Sequence, residues 1–339
     1  MKRIVLVGNP TAQSGKNAER IAQARSLLVS QGFACDVFAT RPAGETIPAL
    51  RDAISSSPPD LVVAMGGDGT FREVGAALLA SGKQELVPMG MLPTGTANDQ
   101  GRSFGLSAGE EALDTNVAVI ASGRETRLDA VKLTQTDAHG TVLRTDVLFD
   151  SVGWGLSARV LLERNIDRTV VEKLGPLKHL YRDHMVYAGA LARVFMDSFM
   201  RDQTFDVTLT IDGTTHELVG LTDLVVKNTR IYAGAWIVDR ESRPDDGIVE
   251  VVPFRSQADW IAKGIVAHDG NPLPDELRDP GGRVRDDIFR GSAFELSFAG
   301  AVLPLAQIDG EEADPSPRAT IEVLARALRL VVPDAYATD

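Results

Sequence analysis

The feature that most constrains the fold is a strand–glycine–helix junction at residues 61–78. Residues 61–65, Leu-Val-Val-Ala-Met, are a short apolar, β-prone run. Gly66-Gly67-Asp68-Gly69-Thr70 follows, after which Phe71, Val74, Gly75 and Leu78 share one face of a helix-period segment. Three glycines in four positions let the main chain turn tightly and approach a ligand closely. The unit recurs. Apolar runs at 3–8, 33–39 and 87–92 alternate with helix-period runs at 16–31 and 47–54. Strands alternating with helices predict a doubly wound α/β domain on a parallel sheet.

Near residue 125 the pattern changes. Residues 126–150 read as strands around a turn at 137–140, and 156–200 read as helical. Beyond 204, short β-rich runs at 205–211, 216–221, 224–228 and 248–252 are separated by turns such as Asp212-Gly213 and Asp245-Asp246-Gly247. We therefore expect an α/β domain at 1–124, then a mostly antiparallel β-sandwich domain with inserted helices at 125–339. Residues 269–287, rich in Pro and Gly, read as a long exposed loop.

Charge and composition exclude several classes. The formal net charge is −12, which opposes general nucleic-acid binding and tight adsorption to anionic membranes. No apolar run reaches the ~18 residues that a membrane-spanning helix needs. The first apolar run stops at Gly8-Asn9-Pro10, too soon for a signal peptide. Cys35 is the single cysteine, so a reducing, cytoplasmic location is expected. His179 and His184 are the one close histidine pair, and no Cys or Glu completes a zinc site around them.

The 66–70 loop has the makings of a phosphate cradle. N–H groups at the start of the next helix face whatever the loop holds, and the helix dipole favours an anion. Asp68 adds a carboxylate for Mg²⁺ or for a proton. A plainer reading stands beside this one: Thr70 and Glu73 have the spacing of a capping box. Two common phosphate loops are excluded. Pro10 and Asn17 break the Walker pattern around Gly15-Lys16, and Arg72 takes the last glycine position of a dinucleotide fingerprint. A second loop, Leu92-Pro93-Thr94-Gly95-Thr96-Ala97-Asn98-Asp99, follows the next strand. Ligands of open α/β sheets sit outside the carboxyl ends of strands. Asn9, Asp68, Thr70, Thr94, Thr96 and Asn98 would then share one crevice, although Asn98 alone also reads as a helix cap.

In this order the motifs resemble those of the diacylglycerol kinase catalytic-domain family, which includes bacterial lipid kinases and sphingosine kinases. The residues are Asn9-Pro10 with Ser14-Gly15, the 66–73 segment, and the 92–99 segment. Ser151-Val152-Gly153-Trp154-Gly155, Asp245-Asp246-Gly247-Ile248, Gln307-Ile308-Asp309-Gly310-Glu311 and the closing 328–333 strand pattern extend the resemblance over nearly the whole chain. It implies an ATP site lined by Asn9, Pro10, Thr40, Gly66, Gly67, Asp68, Gly69, Thr70, Glu73, Thr94, Gly95, Thr96 and Asn98. It implies that Asp68 acts through Mg²⁺ and water, and that Glu311, or Asp309 beside it, takes the proton of the attacking hydroxyl. It also implies a structural Mg²⁺ on Asp246, with main-chain oxygens of Arg243 and Ile248. The implied activity is phosphorylation of a diacylglycerol- or sphingoid-type lipid at a membrane surface that the protein visits transiently. A homodimer is left open, as is the packing of the last ~15–20 residues on the first domain.

Departures from the family pattern fall at Gln100-Gly101, at Ala233-Gly234-Ala235-Trp236 and in 269–287, and they bear on the acceptor. Residues 156–200 are the expected acceptor-facing helices. Leu156, Val160, Leu161, Leu174, Leu177, Leu180 and Tyr181 line them, with a slight excess of Arg and Lys alongside. An ordinary core face gives the same spacing. Two other functions remain open on sequence: an NAD kinase or sugar-phosphate kinase, and a non-catalytic nucleotide- or lipid-binding regulator.

Overall fold

The computed structural model describes residues 1–95, 98–162, 204–232, 236–237, 239, 241–256, 259, 288–300 and 302–336. Strands and helices alternate from the start: β1 (Arg3–Gly8), α1 (Lys16–Ser30), β2 (Ala34–Ala39), α2 (Thr46–Ser56), β3 (Leu61–Gly66), α3 (Asp68–Ser81) and β4 (Met89–Pro93). Short α4 (Asp99–Ser103) and α5 (Leu113–Ser122) follow. The four strands pair in parallel in the order β2-β1-β3-β4.

Strands β1, β3 and β4 are largely buried on both faces, which is why they read as apolar runs, whereas the edge strand β2 is partly exposed. Val62 and Ala64 of β3 pack with Leu50 and Ile54 of α2 and with Phe71, Val74 and Leu78 of α3. Leu61, Val63 and Met65 point the other way, onto Ile21, Ala24 and Leu28 of α1 and Val117 and Ile120 of α5. Helix α3 begins at Asp68 with an extended Gly67 as its N-cap. Thr70 therefore lies inside the first turn, and the capping-box reading does not hold. Its side chain folds over Gly66 instead, where an added side-chain carbon would stand 2.3 Å from Thr70 Oγ1.

The remaining strands are β5 (Glu125–Thr136), β6 (Val142–Leu148), β7 (Ser151–Gly155), β8 (Phe205–Ile211), β9 (Thr214–Leu221), β10 (Asp223–Lys227), β11 (Ile231–Tyr232), β12 (Trp236–Ile237), β13 (Val249–Phe254), β14 (Phe289–Gly291), β15 (Ala293–Ala299), β16 (Ala306–Ile308), β17 (Glu311–Ala313) and β18 (Arg318–Val331). β18 joins the two architectures. Near its end it runs parallel to β4, with Leu330 opposite Met89, and along its length it pairs antiparallel with β5 and β15. The ten-stranded sheet thus passes from parallel to antiparallel without a break.

A second, six-stranded antiparallel sheet has the order β14-β13-β10-β7-β16-β17. Val152, Trp154, Leu224, Val226, Val249 and Val251 on its inner face interdigitate with Leu133, Leu209, Leu296 and Ile321 of the first sheet. Inward-facing residues alternating along both sheets make a β-sandwich. On the outer face of the second sheet, Val225, Val252, Phe254 and Tyr232 pack with Leu156, in the helical segment 156–162 after β7. The expected positions Leu174, Leu177, Leu180 and Tyr181, and the loop 269–287, lie outside the described residues.

A candidate active site at the junction of the two sheets

The loops that follow β1, β3 and β4 lie side by side at the carboxyl ends of the parallel strands. The Thr94 N–H donates to Gly66 O (2.8 Å), which draws the two glycine loops together. They meet so closely that a side-chain carbon on Gly95 would lie 2.4 Å from Gly67 Cα. Asn98, in a left-handed conformation (φ 56°), bonds both ways to Gly95. The Gly95 N–H donates to Asn98 Oδ1 (2.8 Å), and Asn98 Nδ2 donates to Gly95 O (2.7 Å). Asn98 stitches its own loop and makes no side-chain cap to α4. Thr96 lies outside the described residues.

At the end of β1, Asn9 Oδ1 accepts from the Thr11 N–H (3.0 Å) and hydroxyl (2.8 Å), and Asn9 O accepts from Asn17 Nδ2 (2.6 Å). Pro10 completes this turn. The Thr40 N–H donates to Gly8 O (3.0 Å), which brings the end of β2 to the same edge. No bond within α3 can use the N–H groups of its first turn, those of Asp68, Gly69 and Thr70. They lie at the positive end of the helix dipole.

Acidic side chains surround that helix end. Asp68 Oδ1 accepts from the Gln100 N–H (3.0 Å). Burial, and next the charge of Asp150, push the Asp68 carboxyl above its ordinary range. Glu73 stands one turn along α3. Burial raises it, the Thr46 hydroxyl opposes the rise, and the nearby Glu311 adds to it. Glu311 opens β17 after a turn in which Asp309 and Gly310 are both left-handed, with φ 47° and 75°. A side-chain carbon on Gly69 would lie 3.1 Å from Glu311 Oε1. The fold thus brings the glycine loop and the distant Asp-Gly-Glu turn to one place.

Asp309 and Glu311 differ sharply in access. The Glu311 side chain is 62% exposed and that of Asp309 is 1% exposed. Asp309 Oδ1 accepts from the N–H groups of Asp150 (2.9 Å) and Ser151 (3.0 Å), and Oδ2 accepts from that of Phe149 (3.0 Å). Burial and then the Asp150 charge push it up to about 7, against the pull of Arg72 and of the main-chain donors. Its oxygens clamp the start of β7 to the turn that carries Glu311.

Two features escaped the sequence reading. Arg72 NH1 donates to Glu311 Oε2 (3.1 Å), NH2 to Asp146 Oδ1 (2.9 Å) and Nε to Val147 O (3.1 Å). Those partners are 239, 74 and 75 positions away, beyond any local pattern. The second feature is a buried ion pair under the site. Lys227 Nζ donates to Asp150 Oδ1 (2.7 Å), to Ile231 O (2.8 Å) and to Thr229 Oγ1 (3.3 Å), and the Thr229 hydroxyl also bonds Asp150. A lysine closing the apolar run Leu224-Val225-Val226 was its sequence signal.

At the Asp245-Asp246-Gly247 turn, Asp246 Oδ1 accepts from the Ile248 N–H (3.1 Å), and Arg243 Nε pairs with Asp245 (3.1 Å). The Gly247 N–H donates to Asp129 Oδ2 (2.6 Å) and the Arg326 N–H to Asp129 Oδ1 (2.5 Å). Burial raises Asp129 and Asp246, and neighbouring carboxylates of the turn add to both. That surplus of negative charge suits a cation. Among the described residues, however, no three Asp, Glu, His or Cys side chains converge on a metal position. A cation here would rest on one carboxylate plus main-chain oxygens and water.

Comparison with known proteins bears out the family resemblance. Residues 3–133 match the family model of the diacylglycerol kinase catalytic domain. A probable lipid kinase YegS-like of Klebsiella pneumoniae (strain 342) is 30% identical over 119 residues, covering 35% of this chain and 38% of the relative. The diacylglycerol kinase of Bacillus subtilis (strain 168) is 31% identical over 123 residues, covering 36% of this chain and 40% of the relative. These matches span less than half the length of the curated relatives. Likeness of fold reaches further. A crystal structure of a putative diacylglycerol kinase from Bacillus anthracis str. Sterne superposes with a TM-score of 0.67, covering 98% of each chain at 20% identity.

Proposed function

We propose that this chain is an ATP-dependent lipid kinase that phosphorylates a hydroxyl of a diacylglycerol- or sphingoid-type lipid. The observation that carries the reading is the meeting of Gly69 and Glu311, which sets a carboxylate oxygen beside an anion-binding helix end. The chain works as two units, 1–124 and 125–339, with the reaction between them.

The phosphates of ATP lie against the first turn of α3 and the main chain of the two glycine loops at 66, 67, 69 and 95, which pack closely on one another. Asn9, Pro10, Thr40, Thr70, Thr94, Thr96 and Asn98 surround the nucleotide, and Glu73 closes the far side. Bound Mg²⁺ supplies charge neutralisation on the transferring phosphoryl group. Asp68 fits it, since a carboxyl whose ionised form is disfavoured by burial and by Asp150 gains from a cation. Glu311 Oε1 takes the proton of the incoming alcohol as its oxygen attacks phosphorus, and the nucleoside diphosphate leaves. A hydroxyl is a weak nucleophile, so a positioned base is the main contribution asked of the second sheet. Asp309 holds the turn that presents Glu311. Asp246, with the carbonyls of Arg243 and Ile248, is the seat of a structural Mg²⁺.

The acceptor lipid approaches from the outer face of the second sheet, next to Leu156 and Val160. Among the described residues no helix is long and apolar enough to cross a membrane. With a net charge of −12, contact with the bilayer is local and transient.

The test is ATP turnover with dispersed diacylglycerol, a sphingoid base, ceramide and NAD. Phosphorylation of a lipid hydroxyl is the expected result. Phosphorylation of NAD alone, or tight ATP binding with no transfer to any acceptor, contradicts the proposal.

A further inference from the structure

Arg72 is the one cation, among the described residues, that touches the proposed base, and its Nε also lies 4.0 Å from the buried Asp309 Oδ2. Its side chain is 11% exposed. Nε and NH2 are both committed to β6, through Val147 O (3.1 Å) and Asp146 Oδ1 (2.9 Å). Asp146 is itself held by Arg144 NH2 (2.9 Å). A guanidinium is planar with a fixed fork, so anchoring two of its nitrogens fixes the direction of the third. NH1 then points at Glu311 Oε2, 3.1 Å away.

Glu311 has few other restraints. An exposed glutamate side chain ordinarily samples several rotamers, and an exposed ion pair adds little to stability. With Oε2 held by Arg72, Oε1 is the oxygen left facing Gly69 and the start of α3. The Arg72 charge also stands near both Glu73 and Glu311, two carboxylates that otherwise repel each other beside the phosphate cradle.

We propose that Arg72 is a positioning residue, a latch from α3 that selects the orientation in which Glu311 Oε1 faces the reacting hydroxyl. This rests on the role proposed above for Glu311. Lysine replaces it only in part, because a single ammonium cannot hold β6 and Glu311 at once.

The experiment is steady-state kinetics of the full chain with Mg·ATP and dispersed diacylglycerol, or the sphingoid base if that is the better acceptor. Arg72→Gln, Arg72→Lys, Asp146→Asn, Glu311→Gln and the Arg72→Gln/Glu311→Gln double variant are compared, with thermal melting as the check on folding. A misplacement of about 1 Å costs on the order of 10²-fold in rate, so Arg72→Gln is expected to lose roughly 10- to 100-fold in kcat with the KM for ATP little changed. Arg72→Lys and Asp146→Asn lose less, in the same direction. In the Glu311→Gln background Arg72→Gln has no further effect, since the group it orients is gone. An equal loss in both backgrounds overturns the latch, as does a rise in the KM for ATP with kcat intact. If the glutamine variant does not fold, Arg72→Lys, which retains the charge, separates the same outcomes. Wild-type kcat in Glu311→Gln alone overturns the base itself, a separate failure from that of the latch.

Discussion

Strands β1, β3 and β4 are buried on both faces and end in loops whose main chain faces the crevice. Strand β15, in the same sheet, alternates buried and exposed residues, and the second sheet delivers Glu311 and Asp309 as side chains from one turn. The parallel region therefore contributes mostly backbone: N–H groups of a helix start and glycines that let the two loops pack closely. The antiparallel region contributes charge. Binding a phosphate needs little more than the first, and moving a phosphoryl group needs both. The contrast predicts that damage to the loops weakens nucleotide binding, whereas damage beyond β5 leaves binding and removes transfer.

Asp68 is the exception to that division, a side chain on the backbone side, and testing it gives the largest effect. Asp68→Ala is expected to lower turnover by about 10²–10⁴-fold with a normal melting curve. Full activity refutes its assigned role. Next comes the buried pair beneath the site. Lys227→Met strands Asp150 without its cation and should destabilise the fold by about 3–5 kcal/mol in denaturant titrations, with much of the loss recovered in Lys227→Met/Asp150→Asn. No loss in the single variant means that the pair does not carry the charge of this face.

On the loop side, Gly95→Ala places a carbon 2.4 Å from Gly67 Cα, so the two loops must part. Overpacking of this kind costs about 1–3 kcal/mol, read here as roughly 10- to 100-fold weaker ATP binding by calorimetry. Unchanged affinity breaks the claim that close backbone approach forms the cradle.

Titration of the antiparallel region gives a gentler effect. Burial pushes Asp223 and Glu250 up to about 7. The folded protein then keeps protons that the unfolded chain releases near pH 4, so between about pH 4 and 7 the unfolded state binds fewer protons and stability falls as pH rises. Above about 7 the curve flattens. The slope is at most ~1.4 kcal/mol per pH unit for each group, and Asp223→Asn should remove one share of it in melting curves at pH 5–8. Stability that rises over that range contradicts the assignment. The smallest expected effect is metal-linked: millimolar Mg²⁺ should stabilise the wild type by about 1 kcal/mol and leave Asp246→Asn unmoved. Equal responses dispose of the Asp246 site.

The same contrast explains what the sequence disclosed. Glycine loops are local requirements, so 66–70 and 92–99 were legible together with the strands and helices around them. The capping-box alternative at Thr70 fails for a local reason too, because an extended Gly67 takes the cap that a Thr-x-x-Glu spacing suggests. Charge contributed from afar was legible only in part. Asp309 and Glu311 look equivalent as bases, and only the fold shows one closed under three N–H groups and the other open. Arg72 stood inside the most telling motif, but its partners are set by packing between strands far apart in the chain. The sequence pattern marks β18 only at 328–333, because Arg326 at φ 55° interrupts the alternation of a strand that runs from 318 to 331. Asp129 occupies the N–H of that residue, which the strand pattern alone does not disclose.

The central claim is that nucleotide binding and phosphoryl transfer reside in opposite regions that meet at Gly69 and Glu311. Calorimetric ATP binding and single-turnover transfer from γ-labelled ATP, measured on the same preparation of Glu311→Gln, test it directly. Dissociation constants within about twofold of wild type, with transfer slowed by about 10²-fold or more, are the predicted pair of results. Transfer at the wild-type rate, or binding and transfer lost in equal measure, contradicts the account.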